Sequence, residues 1–175
     1  QGQGMTVREE VLDYPIRQRT RFSEIVSGQA HAPTNEVLAA VLEPAGPAHA
    51  QALGIAPAEE VVRVEMLRRC DDVPTSLSTD VFPASRFPGL ADRVRETRSI
   101  TAALGAYGIG DYRRLRSTLH TRLPTGEEAR LLAQSPQQPV LCVDSVNVDQ
   151  DGRIIEETEA RFAGARIKIL VEPAA

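Results

Sequence analysis

The stretch from Glu60 to Phe82 restricts the fold more than any other. Glu60 to Cys70 alternates with period two: Val62, Val64, Met66 and Arg68 share one face, and Val61, Arg63, Glu65, Leu67 and Arg69 the other. Asp71-Asp72 supplies a turn, and Thr75 to Phe82 returns as a second strand, which predicts an antiparallel hairpin. A hairpin alone is marginal, so it must sit in a wider sheet covered by another layer. Arg68 closes the apolar stripe. A guanidinium there needs an anionic partner, since an unpaired buried charge costs several kcal/mol. Two partners are open: an internal carboxylate such as Asp80 or Glu156, or an anionic ligand.

The remaining elements fit round that hairpin. Thr34 to Glu43, bracketed by Pro33 and Pro44, reads as a buried strand. Pro47 to Leu53 has proline in its first turn and Gly54 just past its end, the asymmetry of a short helix. Leu90 to Glu96 and Ser99 to Ala106 read as helices, the second capped by Ser99. Asp111 to Leu123 predicts a long strand with Leu115, Ser117, Leu119, Thr121 and Leu123 inward and Arg114, Arg116, Thr118, His120 and Arg122 outward. Thr125 and Glu128 form a capping box that opens a helix. Val140 to Val148 and Arg153 to Phe162 are strands joined by the Asp149–Gly152 loop, and Ala165 to Val171 is a last strand. The sum is an α+β domain: a mostly antiparallel sheet of about six strands with helices packed on one side.

Composition excludes several classes. A net charge of −4 argues against gripping nucleic acid through a basic surface, and the arginines of 113–122 are explained by one wet sheet face. No apolar run reaches membrane-spanning length. Cys70 and Cys142 lie in strand-like runs and read as core thiols of a reducing cytoplasm. His31, His49 and His120 lack ligand spacing, so no metal or cofactor is expected. Neither a phosphate-binding glycine loop nor a nucleophile elbow is present.

The front of the chain carries the second candidate for anion chemistry. In Arg19-Thr20-Arg21-Phe22-Ser23-Glu24 two guanidiniums precede an amphipathic turn, where unpaired N–H groups favour phosphate, phosphonate or sulfate. The alternative is that Arg19 and Arg21 are solvated and Ser23 is a cap. Ahead of them, residues 1–7 read as the tip and return strand of a hairpin and 8–18 as a linker, so the chain is expected to begin where another module ends.

These landmarks, in this order, resemble the UTRA effector-binding domain of HutC-subfamily GntR-type transcription regulators. The pieces are Arg19-Thr20-Arg21-Phe22-Ser23-Glu24, Gly28, Pro33-Thr34, Ala52-Leu53-Gly54-Ile55 and Leu67-Arg68-Arg69, then Tyr107-Gly108-Ile109, Pro139 to Val143 and Gly152 to Glu156. The doubled arginines look most similar to regulators of phosphonate metabolism. The resemblance implies a chorismate-lyase-like fold over 19–175, with residues 1–7 a remnant of a winged-helix wing. It implies an effector phosphate held from the strand at Met66 to Arg68, where Met66 replaces a usual arginine and Arg68 matches the second. Ser78 stands where sugar-phosphate-binding relatives carry glutamate, Glu156 matches an acidic position, and Ala163 and Ala165 replace an arginine and an aspartate. An amino-sugar phosphate is therefore disfavoured as effector.

The expected function is an allosteric sensor, not an enzyme. A small anion would sit among Arg19, Arg21, Phe22, Ser23, Arg68, Arg69, Asp80 and Glu156. The partners expected are that effector, operator DNA through a winged-helix domain, and a second copy of the chain paired through the sheet. The rival readings are a chorismate-lyase-like enzyme and a dimerisation module without a ligand.

Overall fold

The computed structural model describes residues 11–15 and 22–171, with the backbone alone at 22–24. The chain begins with β1 (Leu12–Pro15), α1 (Phe22–Gly28), β2 (Pro33–Pro44) and α2 (Gly46–Leu53). The predicted hairpin is β3 (Glu60–Cys70) and β4 (Val73–Pro83), followed by α3 (Leu90–Thr97) and α4 (Ile100–Gly105). The rest is β5 (Arg113–Arg122), α5 (Gly126–Leu131), β6 (Val140–Val148), β7 (Ile154–Ala163) and β8 (Ile167–Leu170).

Six strands form one antiparallel sheet in the order β2-β3-β4-β7-β6-β5. The β3–β4 turn places Asp71 and Asp72 in the left-handed region (φ 48° and 66°), as a hairpin turn twisted with its strands requires. The last strand does not join this sheet. β8 instead pairs in parallel with β1, from Leu12 beside Ile167 to Pro15 beside Leu170.

The antiparallel sheet is as expected, but the helices take both faces. Val62, Val64, Met66 and Phe82 pack under Leu90, Val94, Ile100 and Leu104 of α3 and α4. On the same face Val143 and Phe162 pack with Val26 of α1 and with Leu12, Tyr14 and Ile167 of the β1–β8 pair. The opposite face buries Val61 and Val81 against Ala50 and Leu53 of α2, and Leu67, Leu77 and Val140 against Leu132 after α5. The cause is that the central strands are apolar on both sides, so each side needs its own cover.

The inward leucine face expected for β5 is also corrected. Leu115, Leu119 and Leu123 are 53%, 42% and 61% exposed. β5 is an edge of the sheet, and none of the described helices belongs to a core cluster with these leucines. The alternation itself slips once. Arg114 faces Asn147 and Arg116 faces Val146, so Leu115 is an extra residue, a β-bulge. Arg114 and Ser117 consequently share a face, which strict alternation forbids.

Candidate functional site

The register lays polar side chains side by side on the face covered by α3, α4 and β1. Asp80 of β4 faces Thr158 of β7, which faces Ser145 of β6. Next to this row, Glu156 of β7 faces Asn147 of β6, which faces Arg114 of β5. Arg68 of β3 lies near the far end, opposite Asn35 of β2. Burying such a row beneath helices would be costly unless the groups were paired or met a ligand. A cavity of about 250 Å³ opens over them, walled by Tyr14, Met66, Phe162, Tyr112 and the start of α4. Tyr14 packs on Phe162 with ring centroids 4.9 Å apart.

Its electrostatics are mixed. Ser78 Oγ and Thr158 Oγ1 donate to the two oxygens of Asp80 at 2.6 and 2.7 Å. Arg68 Nη2 is 3.8 Å from Asp80 Oδ2, an ion pair longer than a hydrogen bond. Glu156 is buried and accepts from Asn147 Nδ2 at 2.5 Å. Burial, and then the neighbouring Asp80 carboxylate, push the Glu156 carboxyl up to about 8; the Asn147 bond and the Arg68 charge oppose this without cancelling it. Two polar atoms of the lining are buried without a hydrogen-bond partner among the described residues: Arg114 Nη1 and Asn35 Oδ1.

Of the residues singled out by sequence, Arg68, Asp80 and Glu156 come together in this cavity. Arg69 does not join them: its Nη1 donates to Glu36 Oε2 at 2.8 Å on the exposed side of β2. Arg19 and Arg21, and the side chains of Phe22 and Ser23, lie outside the described residues. Sequence reasoning missed Arg114, Asn147, Thr158 and Asn35. The signal available was Asp144-Ser145-Val146-Asn147, polar residues at alternate positions inside a strand that is otherwise apolar. Elsewhere, His31, Cys70 and Asp71 bring possible metal donors within 4.8 Å of one another. There His31 Nδ1 and Asp71 Oδ2 already share a hydrogen bond at 2.5 Å, and Asp71 Oδ1 accepts from the Ala32 N–H at 2.7 Å.

The comparison with known proteins places this architecture. A family model of the UTRA domain matches residues 28–168. This chain belongs to the UTRA family. The uncharacterised HTH-type transcriptional regulator RB1450 of Rhizobium meliloti is 35% identical over 173 residues, covering 98% of this chain and 71% of that protein. The HTH-type transcriptional repressor PhnF of Mycolicibacterium smegmatis is 31% identical over 115 residues, 66% of this chain and 47% of that one. The crystal structure of the effector domain of PhnF from Mycobacterium smegmatis matches this UTRA domain with a TM-score of 0.80 at 25% identity, over 93% of this chain and 99% of that one. The chain is thus similar to the effector domain of an HTH-type transcription regulator. Among the described residues no helix is long and apolar enough to cross a membrane.

Proposed function

We propose that this UTRA domain is the sensing and dimerisation part of a cytoplasmic, HutC-type DNA-binding repressor, and that its effector is a small anion such as a phosphonate or a phosphorylated metabolite. The observation that carries this reading is the cavity lined by two guanidinium groups, Arg68 and Arg114, from strands near opposite edges of the sheet. Arginine bonds to such oxyanions are charge-assisted and roughly twice as strong as neutral ones. The Arg19–Ser23 segment, which follows β1, is assigned to the same site, and Arg69 is not. The name of PhnF as a repressor favours a regulatory role over a catalytic one.

In this mechanism the effector changes how the chain ahead of β1 is held against the sheet. Residues 1–7 are assigned to a winged-helix wing, and the chain up to β1 links it to the sensor, β1 itself being packed into the domain. Binding must discriminate between two arrangements of the DNA-binding pair, with a coupling of about 1–3 kcal/mol. A second copy pairs along β5, so that two winged helices read a two-fold operator. The test is thermal unfolding against phosphate, sulfate and alkylphosphonates. A real ligand raises the melting temperature with its concentration, and Arg68→Ala removes the rise while the unliganded domain stays folded. No rise with any of these anions would reject the sensor reading.

A further inference from the structure

The charges round the cavity say more than that an anion enters it. Arg68 already has Asp80 at 3.8 Å, whereas Arg114 Nη1 is buried with no partner among the described residues. Across the two strands from Arg114 lies Glu156, buried and facing the same space as Asp80. Adjacent strands are about 4.8 Å apart, so Arg114 and Glu156 start about 10 Å from each other on the sheet. A ligand with only negative charge satisfies the Arg114 end and meets two carboxyls at the other. A ligand with only positive charge does the reverse.

Resting on the sensor reading above, we propose that the cavity takes a zwitterion: its anionic head on Arg114, its amine on Asp80 and Glu156. The free amide oxygen of Asn35, beside Arg68, offers one more acceptor. The groups that face Glu156 are Asp80 from β4, Arg68 from β3, Arg114 from β5 and the neutral Asn147 from β6. The wall from α4 adds no charge, being Ser99, Ile100 and Thr101, and Tyr14 and Tyr112 add only phenols. An ammonium placed beside Glu156 favours its carboxylate, so binding near neutral pH releases the Glu156 proton to the buffer.

The experiment is titration calorimetry of the full chain with aminomethyl-, aminoethyl- and aminopropylphosphonate, each beside the alkylphosphonate of the same length. It is run in two buffers of different ionisation enthalpy. The expected result is that the best amino compound binds roughly tenfold or more tightly than its alkyl counterpart, the worth of one charge-assisted hydrogen bond. Proton release beyond that of the phosphonate group itself, which also titrates near neutrality, accompanies the amino series alone. Glu156→Gln brings the amino affinity down to the alkyl affinity of the same variant and removes the Glu156 proton release, and Arg114→Met weakens both series. Thermal unfolding of each variant checks its fold, and Arg114→Lys serves if the methionine variant does not fold. Equal affinity for the two series overturns the zwitterion and leaves the anion sensor standing. Absence of binding by both overturns the two together.

Discussion

Arg122 at the end of β5 holds both carboxylate oxygens of Glu128, with Nη1 2.7 Å from Oε2 and Nη2 2.8 Å from Oε1. The strand and the helix after it are thereby clamped across a tight connection. Glu128 also completes the capping box with Thr125. Arg122, expected in water, is thus half-buried and paired.

This clamp makes stability depend on pH. The Arg122 guanidinium, opposed by burial and helped by the Thr125 N–H, holds the Glu128 carboxyl down to about 2. Its folded value lies below its unfolded one, so its stabilisation is complete above about pH 4.5 and is lost as pH falls toward 2. Glu128→Ala should cost about 2 kcal/mol in urea unfolding at pH 7, from a charged hydrogen bond and a cap. The gap between the two proteins should shrink at pH 3 and below. A gap independent of pH would show that the ion pair contributes nothing.

Glu156 behaves in the opposite sense. Its carboxyl is raised by burial first and the Asp80 carboxylate second. Stability linked to it is full below about pH 4.5 and declines as pH rises toward about 8. Glu156→Gln keeps an oxygen for Asn147 and cannot ionise. The variant should therefore gain melting temperature relative to the parent between pH 5 and pH 8.5; parallel melting curves across that range would contradict the assignment.

The exposed edge leucines make a third prediction, for the dimer. Leu115 and Leu119 stand on the edge strand β5 and Leu123 just past its end, where unpaired backbone and apolar side chains invite another chain. On the proposed pairing of two copies along β5, Leu119→Glu should convert dimer to monomer in sedimentation analysis and change monomer stability by less than about 0.5 kcal/mol. A variant that still dimerises would move the interface elsewhere.

Gly164 makes the fourth. A Cβ built there would lie 2.6 Å from the Pro139 carbonyl oxygen, while its own N–H donates to that oxygen at 3.3 Å. Backbone on both sides has little room to yield. Gly164→Ala should lose about 1–3 kcal/mol in chemical denaturation; an unchanged midpoint would show that the turn relaxes freely.

How much of this was legible in the sequence follows from what kind of information each feature needs. The β3–β4 hairpin is local: alternation and Asp71-Asp72 carry it, and β3 runs from Glu60 to Cys70 as the pattern implies. Arg68 stood out because a charge closes an apolar stripe. Arg114 was hidden because one extra residue, Leu115, reverses which side of the sheet the arginine takes, and a bulge leaves no mark in a period-two pattern. The exposure of the β5 leucines was hidden too, since strand order is set by long-range pairing and not by composition. Asn147 and Thr158 gain meaning only when β6 and β7 bring them beside Glu156 and Asp80.

Tyr14 has a double position: it is a wall of the binding chamber, and it lies in β1, zipped to β8 by a parallel pair. Its ring leans on Phe162, which lines the same space. An occupant therefore cannot press on that ring without also straining the thread by which the polypeptide enters the domain. On the proposed sensing role, news of occupancy would reach β1 through a single side chain.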